Sequence, residues 1–345
     1  LSEAISYFEK SCKEIDNIRA LRKLCEIYLQ YLNDEDDGKR EKYSKLFYKN
    51  AKYIVDKGDA EGEYYLGHCY YNGIEVEEDK RKAFEWYKKA AEQGYAKAQF
   101  KLGICYEFGR GVEKEEKKAF ECYKEVAEQG HLGALFRLGV CYEFGRGVEK
   151  EERKAFKCYK EVAEQGNAVA QTNLGNCYHY GKGVEKDEVK AFEWYERAAE
   201  QGLAEAQYNV GVCYYNGEGV GQNEVKAFEW YKKAAEWGYA RAQHRLGTCY
   251  KLGRGVGQDK KKAFEWYKKA ADQGHIEAQF KVGNYYEHGI GVEKDEYKAF
   301  KWYEKAAKQG DAEAQTNLGF YYQCGKGVEK NERKAFEWYE KAAKQ

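Results

Sequence analysis

Apolar and small residues recur along most of the chain with the spacing of amphipathic helices. Between residues 96 and 129, one such stripe falls at i, i+4, i+7 and i+11, and a second stripe follows it after a short polar segment. The first stripe comprises Ala98, Leu102, Cys105 and Gly109, and the second comprises Ala119, Tyr123, Val126 and Ala127. The pattern predicts a first helix at Ala96–Phe108, a turn at Gly109–Val112 and a second helix at Glu115–Gln129.

This two-helix pattern returns every 36 residues, as the step from Gly67 to Gly103 shows. The same glycine marks each of eight units, which run from Asp59 to Gln345 without insertion or deletion: Gly67, Gly103, Gly139, Gly175, Gly211, Gly247, Gly283 and Gly319. In six units an Asp or Asn stands where it can cap the second helix: Asp79, Asp187, Asn223, Asp259, Asp295 and Asn331. Gly94 and Gly130 stand where a left-handed residue ends that helix. The sequence therefore predicts a helical repeat protein.

The glycine inside each first helix requires a packing reason, because it lowers helix stability by about 1 kcal/mol relative to alanine. We expect the second helix to approach closely there, with the small residues at Ala90 and Ala91 and their equivalents facing the glycine. One unit cannot bury its apolar stripes alone, so we expect the units to stack on their neighbours.

The repeated residues resemble the Sel1-like repeat, a relative of the tetratricopeptide repeat. They read A-x-A-Q-x-x-L-G-x-C-Y, then G-x-G-V, then K-A-F-x-W-Y-x-K-A-A-E-Q-G, over residues 59–345. The resemblance implies an all-α, right-handed α-α superhelical solenoid of helix-turn-helix repeats. It also implies that one face of the first helices lines a concave wall, and that the chain is a scaffold rather than an enzyme.

Residues 1–58 are predicted to be divergent helices that form a cap or partial repeat. The helices are expected at Ile18–Leu32 and Lys42–Lys57, on either side of an acidic loop at Asn33–Gly38. Leu1–Lys10 lacks the basic and apolar regions of a signal peptide. Because the sequence contains no Met, we expect a fragment or a processed form, and whether a flanking domain is missing stays open.

Composition narrows the possible partners. The 59 Lys plus Arg residues balance the 59 Asp plus Glu residues, which argues against nucleic-acid binding and against a polybasic membrane patch. No apolar run is long enough to cross a membrane. The absence of Pro favours helices throughout. The odd count of 11 Cys without a C-x-x-C pair predicts a cytoplasmic location, although secretion stays an alternative.

Comparison of the units with one another indicates where a partner binds. Variation gathers on one flank of the first helix, at the third, sixth, tenth, thirteenth and fourteenth positions of each unit. The groove candidates on this flank are Phe100, Phe108, Phe136, Phe144, Asn176, His179, Tyr180, Tyr208, Tyr215, His244, Phe280, Asn284 and His288. Aromatic rings offer rigid contact area and Asn can bond a peptide backbone, which favours a protein, extended peptide or helix as partner. The alternative is that the sixth and fourteenth aromatics pack against the next unit.

No catalytic or metal-binding pattern interrupts the repeats. The Ser residues lie outside them, and the six His have no zinc-type spacing, so we expect no catalytic residue, metal or cofactor. Cys105 and its equivalents occupy the core stripe and are expected to be buried thiols. Cys122 and Cys158 replace a Trp that other units carry, and a bridge from Cys105 to Cys122 is an alternative.

These observations favour a scaffold or adaptor that binds a protein or peptide along the first helices. A second hypothesis is a regulatory repeat region of a larger signalling protein, for example one fused to a kinase. A third is homotypic stacking through the end at Gln345.

Overall fold

The computed structural model describes residues 17–32 and 36–345, and the elements in these residues are eighteen α-helices. They are α1 Ile18–Tyr31, α2 Asp37–Asp56, α3 Ala60–Asn72, α4 Lys80–Glu92, α5 Ala96–Phe108, α6 Glu116–Glu128, α7 Leu132–Phe144, α8 Glu152–Glu164, α9 Ala168–Tyr180, α10 Glu188–Glu200, α11 Ala204–Asn216, α12 Glu224–Glu236, α13 Ala240–Leu252, α14 Lys260–Asp272, α15 Ile276–His288, α16 Glu296–Lys308, α17 Ala312–Cys324 and α18 Glu332–Ala343. From α3 onward, odd numbers are first helices and even numbers are second helices of the eight repeats. The all-α repeat fold is thus confirmed.

The repeats begin and end their helices as the sequence predicts. The Asp295 side chain accepts a hydrogen bond from the Lys298 backbone N–H at 2.8 Å, and the other five predicted caps make the equivalent bond. First helices end at a left-handed glycine such as Gly109, with φ of 66°. Gly130 follows the second helix with φ of 83°.

Contacts divide the chain into two compact units. The first comprises the described part of Leu1–Val162 and the second is Ala163–Gln345. Within each unit, consecutive helices pack on one another, with α7 meeting α8 where Gly139 faces Tyr159, so the repeats stack in order. In the first unit, α1 and α2 pack together and α2 packs on α3, around a core that includes Leu24, Phe47 and Tyr65.

The glycine of the first helix faces a tyrosine, and the expectation that Ala90 and Ala91 face it was wrong. A Cβ added at Gly103 would lie 2.6 Å from a ring carbon of Tyr123, which is fully buried. The other seven glycines of this class meet the equivalent tyrosine of their own second helix. A bulky ring rather than a small side chain therefore explains why the glycine recurs.

Glutamines tie successive repeats together in the second unit. Gln171 donates to the backbone carbonyl of Ala163 at 3.2 Å, and its own carbonyl accepts from Gln201 at 2.8 Å. The same pair of bonds recurs at Gln243 and Gln279. Each of these side chains links the preceding second helix, its own first helix and the end of its own repeat, which fixes the stacking of neighbours.

The N-terminal helices differ from the prediction at one boundary. The helix expected at Lys42 begins at Asp37, because Asp36 caps it by accepting from the backbone N–H groups of Gly38 and Lys39. The acidic segment is therefore partly helix. Residues 33–35 of the predicted loop and the segment Leu1–Lys10 lie outside the described residues.

Candidate partner-binding face

The aromatic side chains at the sixth position of a unit lie half-buried beside the recurrent tyrosine of their own second helix. Phe100 packs on Tyr123 with ring centroids 5.8 Å apart and on His131 of the next repeat at 4.7 Å. Equivalent pairs join Phe136 to Tyr159, Tyr208 to Tyr231 and Phe280 to Tyr303. The tyrosine of the same repeat covers one side of these rings, and for Phe100 the next repeat adds His131, while Phe100, Phe136 and Phe280 all keep an exposed edge.

The side chains at the fourteenth position are the open part of this face. Phe108 and Phe144 in the first unit are 48% and 59% exposed, and Tyr180 in the second unit is 66% exposed. A cation from the following turn lies over each ring: Arg110 is 5.0 Å from the Phe108 centroid and Arg146 is 5.2 Å from that of Phe144. We call the exposed side chains at this position, with these cations, the first-helix face. Each pair presents an aromatic surface and a positive charge together.

A buried carboxylate underlies the first-helix face in the first unit. Glu107 accepts from the Tyr123 hydroxyl at 2.6 Å, and its other oxygen lies 3.5 Å from both Arg137 and Arg146. Burial and this bond to Glu107 raise the pKa of Tyr123. Because one carboxylate faces two guanidinium groups, the cations are oriented but not fully neutralised.

The remaining polar candidates make local contacts in the second unit. Asn176 accepts from the Tyr195 hydroxyl at 2.7 Å, and His179 lies 3.9 Å from Glu218. Tyr215 is half-buried and lies under the guanidinium of Arg254, 5.4 Å from the ring centroid. Two more candidates contact each other on α15, where the ring of His288 bonds the backbone carbonyl of Asn284 at 3.0 Å.

His244 is the candidate that the structure places deepest. It is buried and stacks on His275 with centroids 4.8 Å apart and an interplanar angle of 18°. Burial, together with the positive charges of His275, Arg245 and Lys281, lowers the pKa of His244 to about 3. The imidazole is therefore neutral at neutral pH and offers a partner little surface.

Sequence reasoning missed that two histidines come together with Glu277. Their possible ligand atoms all lie within 4.8 Å of one another, a spacing that a metal site requires. However, the Nδ1 atom of His275 accepts from the backbone N–H of Ala278 at 3.3 Å, as a helix cap. The rings are also parallel, so their lone pairs do not converge on one point. We therefore interpret the group as a stacked pair rather than a metal centre.

Sequence reasoning also missed the cations at the seventh position, Lys101, Arg137, Arg245 and Lys281. Burial and the neighbouring Arg110 both lower the pKa of Lys101. In the second unit, Arg245 and Lys281 line a cleft of about 630 Å³ beside Phe280. Lys or Arg recurs at this position in four repeats, a signal that was visible in the sequence.

The cysteines of the core stripe are buried, as predicted. Cys105 and Cys122 both carry free thiols, so the alternative of a bridge between them was wrong. Burial raises the pKa of Cys105 to about 11. These thiols are packing groups of the core.

Among the described residues, no helix combines the length and the apolar character needed to cross a membrane. A search of curated proteins returned no significant match. The profile of the Sel1 repeat matches residues 60–95, 96–131, 133–167, 168–203, 204–239, 240–275, 276–311 and 312–345.

Two solved structures resemble this chain over most of its length. A protective antigen of uropathogenic Escherichia coli with an SLR fold is 37% identical, with a TM-score of 0.73. That match covers 86% of this chain and 64% of the antigen, so the chain spans less than two thirds of the antigen's length. A Sel1 repeat protein from Oxalobacter formigenes is 32% identical with a TM-score of 0.66, and 86% of each chain is covered. The chain therefore belongs to the Sel1 repeat family.

Proposed function

We propose that this chain is a protein-interaction scaffold that binds a peptide segment or a helix of a partner along the first-helix face. Proteins with Sel1 repeats commonly serve as interaction scaffolds. The observation that supports this role here is the pairing of exposed aromatic rings with cations at Phe108 and Phe144. Such rings, open to solvent but fixed in place, are typical of interface anchors. We assign the chain no catalytic step.

The face is organised before a partner arrives. Phe108 and Phe144 belong to helices that pack on the preceding helix and on their own second helix, and the adjoining cations are held by Glu107 and by stacking. The Tyr71 hydroxyl also accepts a hydrogen bond from Arg110. Less side-chain freedom is therefore lost on binding, and most of the ordering cost falls on the partner.

Charge on the first unit's face favours a partner with carboxylates. Arg110, Arg137 and Arg146 lie over the exposed rings, whereas Glu107 is buried and bonds two of these guanidinium groups. We therefore propose an extended acidic segment that also carries aromatic or apolar side chains. Its carboxylates would pair with guanidinium groups that Glu107 only partly neutralises.

Peptide selection followed by a matched pair of variants tests this proposal. Peptides are selected on the wild-type chain from a random library, and their affinities are measured by fluorescence anisotropy. We expect selected peptides to be rich in Asp and Glu, and F108A/F144A to bind them at least about ten-fold more weakly, a loss of roughly 1.4 kcal/mol.

The control variant is V189A/V225A, which removes exposed apolar side chains from two second helices and leaves the first-helix face intact. It should bind the selected peptides as the wild type does. Circular dichroism should show the same helical content in all three proteins. The proposal would be overturned if F108A/F144A bound the selected peptides as tightly as the wild type does. It would also be overturned if V189A/V225A lost their binding.

A further inference from the structure

The second helices carry an aromatic-cation pair in six of the eight repeats. A Lys or Arg three residues further along lies over the indole, 3.9 to 4.5 Å from the ring centroid. The six indoles belong to Trp86, Trp194, Trp230, Trp266, Trp302 and Trp338. Trp338, for example, packs on the cluster that contains Leu318 and Tyr322 of its own first helix. Each ring thus fills the space between its two helices while the cation covers it.

The second and third repeats change both members of this pair together. Cys122 and Cys158 replace the indole, and Glu125 and Glu161 replace the cation. The third repeat closes the resulting gap with Leu135, which packs on the core cluster that contains the buried Cys158. The second repeat has no such cover, since Gln99 stands where the third repeat has Leu135 and donates instead to Glu125. Cys122 is accordingly left half-buried.

The gap in the second repeat is a cleft of about 530 Å³. Its apolar floor is formed by Leu102, Tyr106 and Cys122. Leu102 and Tyr106 are the equivalents of Leu318 and Tyr322, which belong to the cluster on which Trp338 packs. We call this cleft the notch. It has the lining of an indole site without the indole.

Carboxylates dominate the free charge at the rim of the notch. Glu121 and Glu125 both line it and lie close enough to Cys122 that they, with burial as the larger cause, raise its pKa to about 11. Two of the three lysines on the wall are engaged, Lys118 with Glu115 at 2.7 Å and Lys88 with Glu92 at 4.0 Å. The notch therefore presents an apolar floor with negative charge where six other repeats present a cation.

We propose that the notch binds an aromatic side chain that is accompanied by a positive charge, as in a partner segment with Trp followed by Lys. The partner's ring would occupy the space that Trp fills in six sibling repeats, on Leu102 and Tyr106. Its cation would pair with Glu125 and Glu121, which replace the internal cation. The notch shares no residue with the first-helix face and does not depend on it.

Two small indoles of opposite charge test both parts of the proposal. Tryptamine carries an ammonium group and indole-3-propionate carries a carboxylate, and their binding to the full chain is measured by saturation-transfer NMR and calorimetry. Tryptamine is expected to bind the notch with a dissociation constant on the order of 1–10 mM, as suits a ligand of its size. We expect indole-3-propionate to bind at least about ten-fold more weakly, because the rim carboxylates repel it.

Variants that close the notch locate the site. C122W/E125K rebuilds the pair of the sibling repeats, and Q99L transfers the cover that Leu135 provides in the third repeat. Each should abolish tryptamine binding. If circular dichroism shows that C122W/E125K does not fold, Q99L still tests the site. L135Q, which removes that cover, should add a second, weaker site at Cys158.

F108A/F144A serves as the control, since it alters only the first-helix face and should bind tryptamine as the wild type does. Equal binding of the two indoles would overturn the charge assignment. Undiminished tryptamine binding in a folded Q99L or C122W/E125K variant would overturn the site itself, as would failure of the wild type to bind tryptamine.

Discussion

Replacing Trp237 by glutamine is expected to stabilise the second unit, because it restores a hydrogen bond that this repeat lacks. The seven other repeats have Gln at this position. In the preceding repeat, Gln201 donates to the Gln171 carbonyl at 2.8 Å. In the repeat that ends in Trp237, the corresponding carbonyl of Gln207 is buried and has no hydrogen-bond partner among the described residues. The indole itself is 75% exposed.

The magnitude follows from these contacts. A restored hydrogen bond contributes about 0.5–1.5 kcal/mol, and leaving a buried acceptor unsatisfied costs about 1–3 kcal/mol. Since the indole of Trp237 is only one quarter buried, its removal loses roughly 0.5–1 kcal/mol of apolar burial. We therefore expect a net gain of about 1 kcal/mol in the free energy of unfolding, or roughly 2–4 °C in Tm for a cooperative unit of this size.

Thermal and urea unfolding monitored by circular dichroism at the helical band measures this effect without relying on the removed indole. W237A is the matched control, since it removes the ring but supplies no donor, and it should be no more stable than the wild type. The converse variant Q201W should be less stable by about 1–2 kcal/mol, because it strips the partner from Gln171. If W237Q and W237A had the same stability, the hydrogen-bond ladder would not be the cause.

Two further predictions concern the packing of Gly103 on Tyr123 and the protonation of His244. G103A should lower the free energy of unfolding by about 1–2 kcal/mol, despite the better helix propensity of Ala. The reason is that its Cβ would press on Tyr123, whose hydroxyl is held by the buried Glu107. Urea titration measures the change, and a variant more stable than the wild type would contradict the prediction. His244 has a pKa lowered to about 3, so the unfolded chain binds more protons below about pH 6.5, and stability is expected to fall as the pH drops from there toward 3. H244F should lose roughly 2 kcal/mol less than the wild type between pH 7 and pH 5, as thermal melting across that range would show; an equal loss in both proteins would contradict this origin.

The sequence predicts the repeat boundaries well, because the glycine and capping positions recur at one fixed step. Helix starts at Asp259 and Asp295 and the left-handed Gly109 follow directly from local hydrogen bonding and steric preference. The start of α2 was misplaced because an acidic run reads as a loop, although Asp36 makes a good helix cap. The proposal that residues 1–58 cap the repeats remains a prediction.

Contacts between helices were harder to predict than the helices themselves. Spacing alone shows which face of a helix is apolar, but it does not show which residue of the neighbour lies opposite. The small residues of the Ala90 class were therefore expected to face the glycine, whereas a tyrosine does so, as Tyr123 faces Gly103. For the same reason the burial of His244 was not anticipated, since its equivalents at Phe100 and Phe280 keep an exposed edge.

Site-specific photocrosslinking tests the central claim, that the first-helix face is where a partner binds, most directly. A photoreactive phenylalanine is placed at Phe108, at Phe144 or, as a control on a second helix, at the exposed Val225, and each protein is irradiated with a peptide selected on the wild-type chain. The account predicts crosslinks from positions 108 and 144 and none above background from position 225. Crosslinking from Val225 alone would contradict it.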